Sequence, residues 1–333
     1  MKRPAFVPDD FTLMLVTTVV LATLLPAEGG AARFFEGFTT FAIGALFFLH
    51  GAKLSRDAIR AGAMHWRLHL LVFASTFVLF PVLGVALRPL LLPLVTPALY
   101  TGILFLCVLP ATVQSAIAFT SMARGNVPAA VCSASASTLL GVFITPVLVG
   151  LVVLPHAGSA SSFDSIVRIL LQLMLPFVVG HLSRPWIGGW IHRRKAVLGL
   201  VDRGSVLLVV YTAFSAAVIE GLWKQVPLLA LAGLLAVCAL LLGIALFLTR
   251  WFARRLGFDK ADEITIVFCG SKKSLASGIP MAKVLFPAHV VGATVLPLML
   301  FHQMQLMVCA VLAQRYARRV DDAPVIDPAR QAG

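Results

Sequence analysis

Charge is what this sequence has least of. Asp and Glu together number 14 in 333 residues, and all charged residues make up 12%, about half of what a soluble domain carries. That density cannot coat a water-facing surface of this size, which excludes an ordinary cytosolic enzyme. Disorder is excluded as well, because 59% of the residues are hydrophobic and disordered chains are poor in them. Cysteine is scarce: Cys107, Cys132, Cys238, Cys269 and Cys309 each fall inside an apolar run. That pattern holds neither a disulfide framework nor a paired CxxC zinc site. No GxxxxGK[ST] stretch and no HExxH is present, so an ATP-driven pump and an intramembrane hydrolase are both disfavoured.

What is there is a series of long apolar runs, and mean hydropathy is +0.95. A helix crossing the hydrocarbon needs about 20 mostly apolar residues. Ten segments qualify: 11–27, 36–54, 68–88, 97–122, 128–154, 164–183, 203–221, 226–249, 262–286 and 289–314. They are continuously apolar rather than alternating, which favours helices over barrel strands. Lys2 and Arg3 ahead of a short apolar run permit a secretory leader, with Ala27-Glu28-Gly29-Gly30-Ala31-Ala32 as its end. Asp9 and Asp10 stand directly before that run and oppose this, so the segment is read as the first span.

The net charge of +13 would suggest nucleic acid on a soluble protein. Here it follows topology. With a cytoplasmic N-terminus, 20 of the 27 Lys and Arg fall in inside segments, Arg203 among them, and four (Arg33, Arg88, Arg168, Lys224) fall outside. Lys272, Lys273 and Lys283 remain within a span. The asymmetry obeys the positive-inside rule and places both termini in the cytoplasm of a multi-pass inner-membrane protein. Segment 184–196, with Trp186 and Trp190 ahead of basic residues, reads as an interfacial helix. The polar tail, 319–333, reads as a flexible cytoplasmic end.

Ten spans divide into five and five, and an odd number gives the halves inverted topology: 1–154 and 155–318. Both halves break in corresponding helices. The fourth span carries Leu109-Pro110-Ala111-Thr112-Val113-Gln114-Ser115, and the ninth carries Cys269-Gly270-Ser271-Lys272-Lys273-Ser274 before Gly278 and Pro280. Proline removes a backbone donor and glycine loosens a helix. Inverted repeats with discontinuous helices are a transporter design, with the site near the midplane. A single proline kink is often only a kink; two breaks in matching places, both rich in hydroxyls or amides, favour function. A lysine at the bilayer centre costs at least about 2.5–3.5 kcal/mol, so Lys272 and Lys273 mark a pathway, whereas Lys283, near the outer end, reads as a snorkelling lysine. Ser133, Ser135, Ser137 and Thr138 of the fifth span read mainly as helix packing, with two or three facing the site. His50, at the end of the second span, reads first as interfacial packing with a reach to the site as the alternative, and Glu220 as a solvated helix end. His302, Gln303 and Gln305 form a polar group inside the tenth span that suits either a hydrogen-bond network or the pathway.

Over nearly its whole length the chain resembles the bile acid:sodium symporter family (solute carrier 10-like). The likeness rests on LPATVQSAIAFTSMARGN (109–126), SASTLLGVFITP (135–146), FCGSKKSLASGIPMAKVLF (268–286) and FFLHGAKLS (47–55). It is nearest a divergent branch of bacterial sodium-dependent transporters with a eukaryotic member tied to calcium regulation. The resemblance implies an all-α fold in which spans four and nine cross at unwound centres. They would lie in a core of spans three to five and eight to ten, beside a panel of spans one, two, six and seven, with substrate between the two. It also implies sodium ligands, and here the chain departs from the family. Thr76 stands for a glutamine, Ala116 for an asparagine, Cys269 for an acid and Lys273-Ser274 for a Gln-Asn pair, while Ala130 and Ala134 replace hydroxyls; Ser115 is kept.

Thiol and ammonium do not bind sodium. The reading that follows is a secondary transporter of a small organic anion in the lipid bilayer, with no cofactor beyond Na+ or H+ as coupling ion. The Lys273 ammonium would stand near one sodium position and bond hydroxyls such as Ser115 and freed carbonyls. Sodium coupling is in doubt, and a proton would serve if Lys273 gave up its charge. The candidate site is Thr76, Gln114, Ser115, Ser133, Ser137, Thr138, Cys269, Ser271, Lys272, Lys273 and Ser274. The alternative is a membrane regulatory or sensor protein of the same fold without net transport. Neither substrate identity nor oligomeric state is encoded in these patterns.

Overall fold

A computed structural model describes residues 10–53, 65–155 and 163–318. Every long element among them is a helix: α1 (Asp10–Leu24), α2 (Gly29–Lys53), α3 (Trp66–Ala86), α4 (Pro97–Val108), α5 (Gln114–Met122), α6 (Val127–Val153), α7 (Phe163–Arg193), α8 (Lys195–Ile219), α9 (Leu228–Arg255), α10 (Lys260–Gly270), α11 (Leu275–Leu285) and α12 (Ala288–Ala317). No strand occurs among the described residues. Helices α2, α3, α6, α8, α9 and α12 are each long and apolar enough to cross a bilayer, and α1 and α4 add shorter apolar segments. The chain is therefore an all-helical, multi-pass membrane protein. Residues 1–9 and the tail 319–333 lie outside the described residues.

Local chemistry sets the helix starts. Thr96 accepts the Leu99 amide with Pro97 behind it, Asn126 accepts the Ala129 amide, and Asp259 accepts the Asp262 amide at 2.7 Å. Each satisfies a donor that the first helical turn leaves free. In α3 the hydroxyls of Ser75 and Thr76 fold back on the carbonyls of Leu71 and Val72. The helix widens there into a π-turn, Ser75–Leu79, in which Phe80 N–H bonds the Ser75 carbonyl.

Two groups of helices pack against each other. Helix α2 runs along α7, and α1 and α2 pack on α8. Gly51 and Gly180 make the first contact possible. A methyl at Gly51 would sit on the Phe177 carbonyl, and one at Gly180 on the Phe48 carbonyl, so the two backbones touch directly. On the other side, α12 packs against α4, α9 and α11, while α10 touches α3, α5, α6 and α9. Helix α8 meets α11 and α12, and α7 meets α6 and α11, joining the groups.

Three expectations change. Segment 184–196 is not a separate interfacial helix: α7 continues through Pro176 and Pro185 to Arg193. Ser183, which could cap a new helix ahead of Pro185, instead bonds back to Val179 O and continues the first one. Trp186 and Trp190 are exposed on its end. Helix α8 begins at Lys195, eight residues before the expected 203, which moves Arg203 from a loop into a helix. Lys283 does not snorkel alone; its ammonium lies 3.1 Å from Glu36 Oε1 of α2.

Candidate functional site

Both expected breaks are present. Helix α4 ends at Val108 and α5 starts at Gln114; α10 ends at Gly270 and α11 starts at Leu275. The two breaks touch, since the Ser274 amide donates to the Pro110 carbonyl at 2.9 Å. Gly141 of α6 gives the Pro110 ring its space, because a methyl there would meet Pro110 Cβ at 2.6 Å.

Interrupting α4 leaves carbonyls without helical donors, and each finds another partner. Val108 O accepts the Thr145 hydroxyl at 3.0 Å. Ala111 N–H, which would reach Cys107 O in a continuous helix, donates instead to Ser137 Oγ at 3.0 Å. Cys107 O and Leu109 O each accept a hydrogen bond from Lys273 Nζ at 2.8 Å.

A third bond from Lys273 Nζ, also 2.8 Å, ends on Thr76 O. That oxygen is free for a local reason. The π-turn commits Phe80 N–H to Ser75, and the following residue, Pro81, has no N–H. The ammonium thus spends all three donors on main-chain carbonyls. Two of these lie at the C-terminal end of a half-helix, where the dipole favours positive charge. Phe80 lies beneath the nitrogen, its ring centroid 4.2 Å away. The Lys273 backbone is held on both sides by Gln305, whose Oε1 takes the amide and whose Nε2 binds the carbonyl, each at 2.9 Å. The side chain is fully buried.

Lys272 is equally buried and differently held. Its Nζ donates to Ser115 O at 2.9 Å and sits 3.8 Å from the Phe119 ring centroid and 5.5 Å from that of Phe268. A desolvated ammonium over an aromatic face gains about 2 kcal/mol. The expected hydrogen bond from Lys273 to the Ser115 hydroxyl is absent; Lys272 takes the Ser115 carbonyl, and the hydroxyl pairs with Thr112 Oγ1 at 3.0 Å.

A cavity of about 390 Å³ lies between the two helix groups. One wall comes from Phe11, His50, Phe177, Arg203 and Val206; the other comes from Thr112–Ser115, Ser135, Thr138, Ser274–Ser277, His302 and Leu306. The amino-terminal ends of α5 and α11 both open on it. The first main-chain bond of α5 is Ile117 N–H to Val113 O, and that of α11 is Gly278 N–H to Ser274 O, so the amides of Gln114–Ala116 precede the ladder. Ser274 Oγ caps one donor of α11, Ser277 N–H; Val113 caps none in α5. Among the described lining residues there is Arg203 and no Asp or Glu.

The eleven candidate residues separate into three places. Gln114, Ser115, Thr138 and Ser274 line the cavity. Thr76, Ser137, Lys272 and Lys273 form the hydrogen-bonded support behind the breaks. Ser133, Cys269 and Ser271 are buried and lie outside the lining: Ser133 Oγ pairs with His69 Nδ1 at 2.6 Å, Cys269 Sγ lies 3.9 Å from Ala130 O, and Ser271 Oγ bonds Val267 O. His50 lines the cavity, the second of its two readings. His302 serves both of its readings, lining the cavity and meeting Gln305 Nε2 at 2.9 Å. Arg203 is the charged lining residue absent from the candidate set.

The chain matches the SBF-like CPA transporter family over residues 9–318. It is 68% identical over 323 residues, 97% of each chain, to a protein named PA2026 from Pseudomonas aeruginosa. It is 61% identical over 313 residues, 94% of each chain, to the Escherichia coli protein named "Putative symporter YfeH". A third relative is the mouse (Mus musculus) sodium/bile acid cotransporter 7, 30% identical over 314 residues, covering 91% of this chain and 90% of the other. Family and relatives point to a transporter rather than an enzyme. With its touching helix breaks and the cavity beside them, the chain belongs to the SBF-like CPA transporter family, within the bile acid:sodium symporter group.

Proposed function

We propose that this protein is a secondary active transporter that moves a small organic anion across the inner membrane by alternating access. In this reading ten spans form two inverted five-helix repeats, 1–154 and 155–318. The broken fourth span is α4–α5 and the broken ninth is α10–α11. The core of spans three to five and eight to ten moves against a panel of α1, α2, α7 and α8, and both termini are cytoplasmic.

The observation that carries the reading is the cavity between these groups. Two half-helix amino termini open on it, Arg203 lines it as well, and no carboxylate stands among its described lining residues. Helix amino termini and guanidinium both favour anions, and the apolar part of the lining (Phe11, Phe177, Val206, Leu306) suits an organic body. Gln114, Ser115, Thr138 and Ser274 supply the polar contacts, while Thr76, Ser137, Lys272 and Lys273 hold the breaks in shape. Ser133, Cys269 and Ser271 serve packing.

The test is uptake into sealed proteoliposomes of a panel of radiolabelled small carboxylates, sulfonates and organic phosphates. Accumulation of at least one, with its KM raised in Arg203→Gln, is the expected outcome. Saturable binding of a panel member with no accumulation under sodium or proton gradients, in either orientation, would instead establish a sensor.

A further inference from the structure

We propose that Lys273 is a tethered cation that fills a carbonyl-lined monovalent-cation site, so that the protein carries its own charge at the helix crossing and works without sodium. The geometry alone makes the argument. Three main-chain oxygens converge on one point, each 2.8 Å from Nζ: Thr76 O from α3, and Cys107 O and Leu109 O from the end of α4. Each is freed by a separate feature. Pro81 follows the π-turn and cannot donate to Thr76, Ser137 withdraws the Ala111 amide from Cys107, and Leu109 lies in the unwound segment.

Carbonyl oxygens gathered in a dry interior repel one another unless a cation sits among them, and rings of such oxygens are how proteins hold monovalent cations. Here the occupant comes from the chain. It is also fixed in place: Gln305 clamps the amide and the carbonyl of Lys273 at 2.9 Å each, so the tether cannot swing away.

The hydrogen-bond count further assigns the charge state. Three acceptors need three donors, which the ammonium has; a neutral amine offers two and would turn its lone pair on the third oxygen. The cage therefore suits the charged form of Lys273. Neighbouring Lys272, with one carbonyl and two aromatic rings around it, has no such cage.

The experiment compares thermal unfolding of the purified full-length chain in choline, sodium, potassium, ammonium and methylammonium chloride at equal ionic strength. The wild type is expected to show the same Tm in all five salts. Lys273→Ala, whose cage is vacated, is expected to have a lowered Tm in choline that rises with added sodium, potassium, ammonium or methylammonium, as mass action requires of a bound ligand. A wild-type Tm that rises specifically with sodium overturns the proposal. So does a folded Lys273→Ala whose Tm ignores all four small cations. If Lys273→Ala does not fold, Lys273→Met takes its place, and the wild-type series decides in either case.

A second arm rests on the transport reading. Wild-type anion uptake is expected to persist when sodium is replaced by choline; uptake that stops overturns the proposal. Uptake of nothing at all would count against transport while leaving the stability arm to judge the cation site.

Discussion

The Ser137 hydroxyl takes the Ala111 amide at 3.0 Å, and this one bond lets the Cys107 carbonyl turn to Lys273. A hydroxyl of α6 thus redirects a carbonyl at the end of α4. Ser137 is fully buried, so Ser137→Ala leaves a buried amide without a partner. A loss of about 1–3 kcal/mol is expected, read as a lower thermal midpoint in detergent, with Ser135→Ala, on the cavity side, nearly neutral. Equal effects of the two would sink this account.

The two lysines are expected to differ in what their removal leaves behind. Lys273→Met orphans three buried carbonyls, at about 1–3 kcal/mol each before relaxation. Lys272→Met leaves one carbonyl and places a thioether against Phe119 and Phe268, a favourable contact. Thermal unfolding should therefore rank wild type, then Lys272→Met, then Lys273→Met. The reverse order would count against the hydrogen-bond assignment.

In the transport reading, Arg203 serves the ligand rather than the fold. It is an exposed residue of α8 facing the cavity, so Arg203→Gln is expected to raise the KM for anion uptake about tenfold or more, the order of a lost charge-assisted hydrogen bond, with little change in Tm. Arg203→Lys should recover part of the affinity, since it keeps the charge and loses the bidentate fork.

The backbone contact between α2 and α7 tests the packing of the proposed panel. Gly180→Ala would set a methyl on the Phe48 carbonyl, which the helices can relieve only by separating. A cost of at least about 2 kcal/mol is expected, whereas Gly189→Ala, on the same helix with open space around it, should be neutral. Melting curves of the two variants make the comparison.

Glu263 ties three helices together where α10 begins. Its carboxylate meets Lys260 Nζ at 2.7 Å, Arg254 Nε at 3.1 Å and Arg250 Nε at 3.5 Å, and accepts the Tyr316 hydroxyl at 3.3 Å. The three basic partners are partly exposed and screened, which reduces their share; the carboxylate itself is buried. Glu263→Gln is expected to cost about 1–3 kcal/mol, and Glu263→Ala more, measured by urea or thermal unfolding. Raised salt should narrow the gap between Glu263→Gln and wild type.

Much of this molecule was settled by its sequence. Low charge and long apolar runs dictate membrane helices, because an unpaired backbone group in lipid costs too much for other structures. Pro110 and the Gly270–Ser274 stretch dictate where two helices break, since they remove donors and loosen backbone locally. Lys272 and Lys273, adjacent and far from any interface, had to be buried and paired. All of this follows from chemistry carried by neighbours in the chain.

What only the tertiary structure decided is who meets whom. Arg203 lines the cavity because α8 starts at Lys195 and turns that face towards α11, and no local pattern distinguished it from the basic residues of a loop. The partners of Lys273 come from 164, 166 and 197 residues away. They are backbone oxygens, which every residue has and no sequence motif marks. Their freedom depends on Pro81, Ser137 and the π-turn acting together across three helices, and that convergence exists only once the helices are packed.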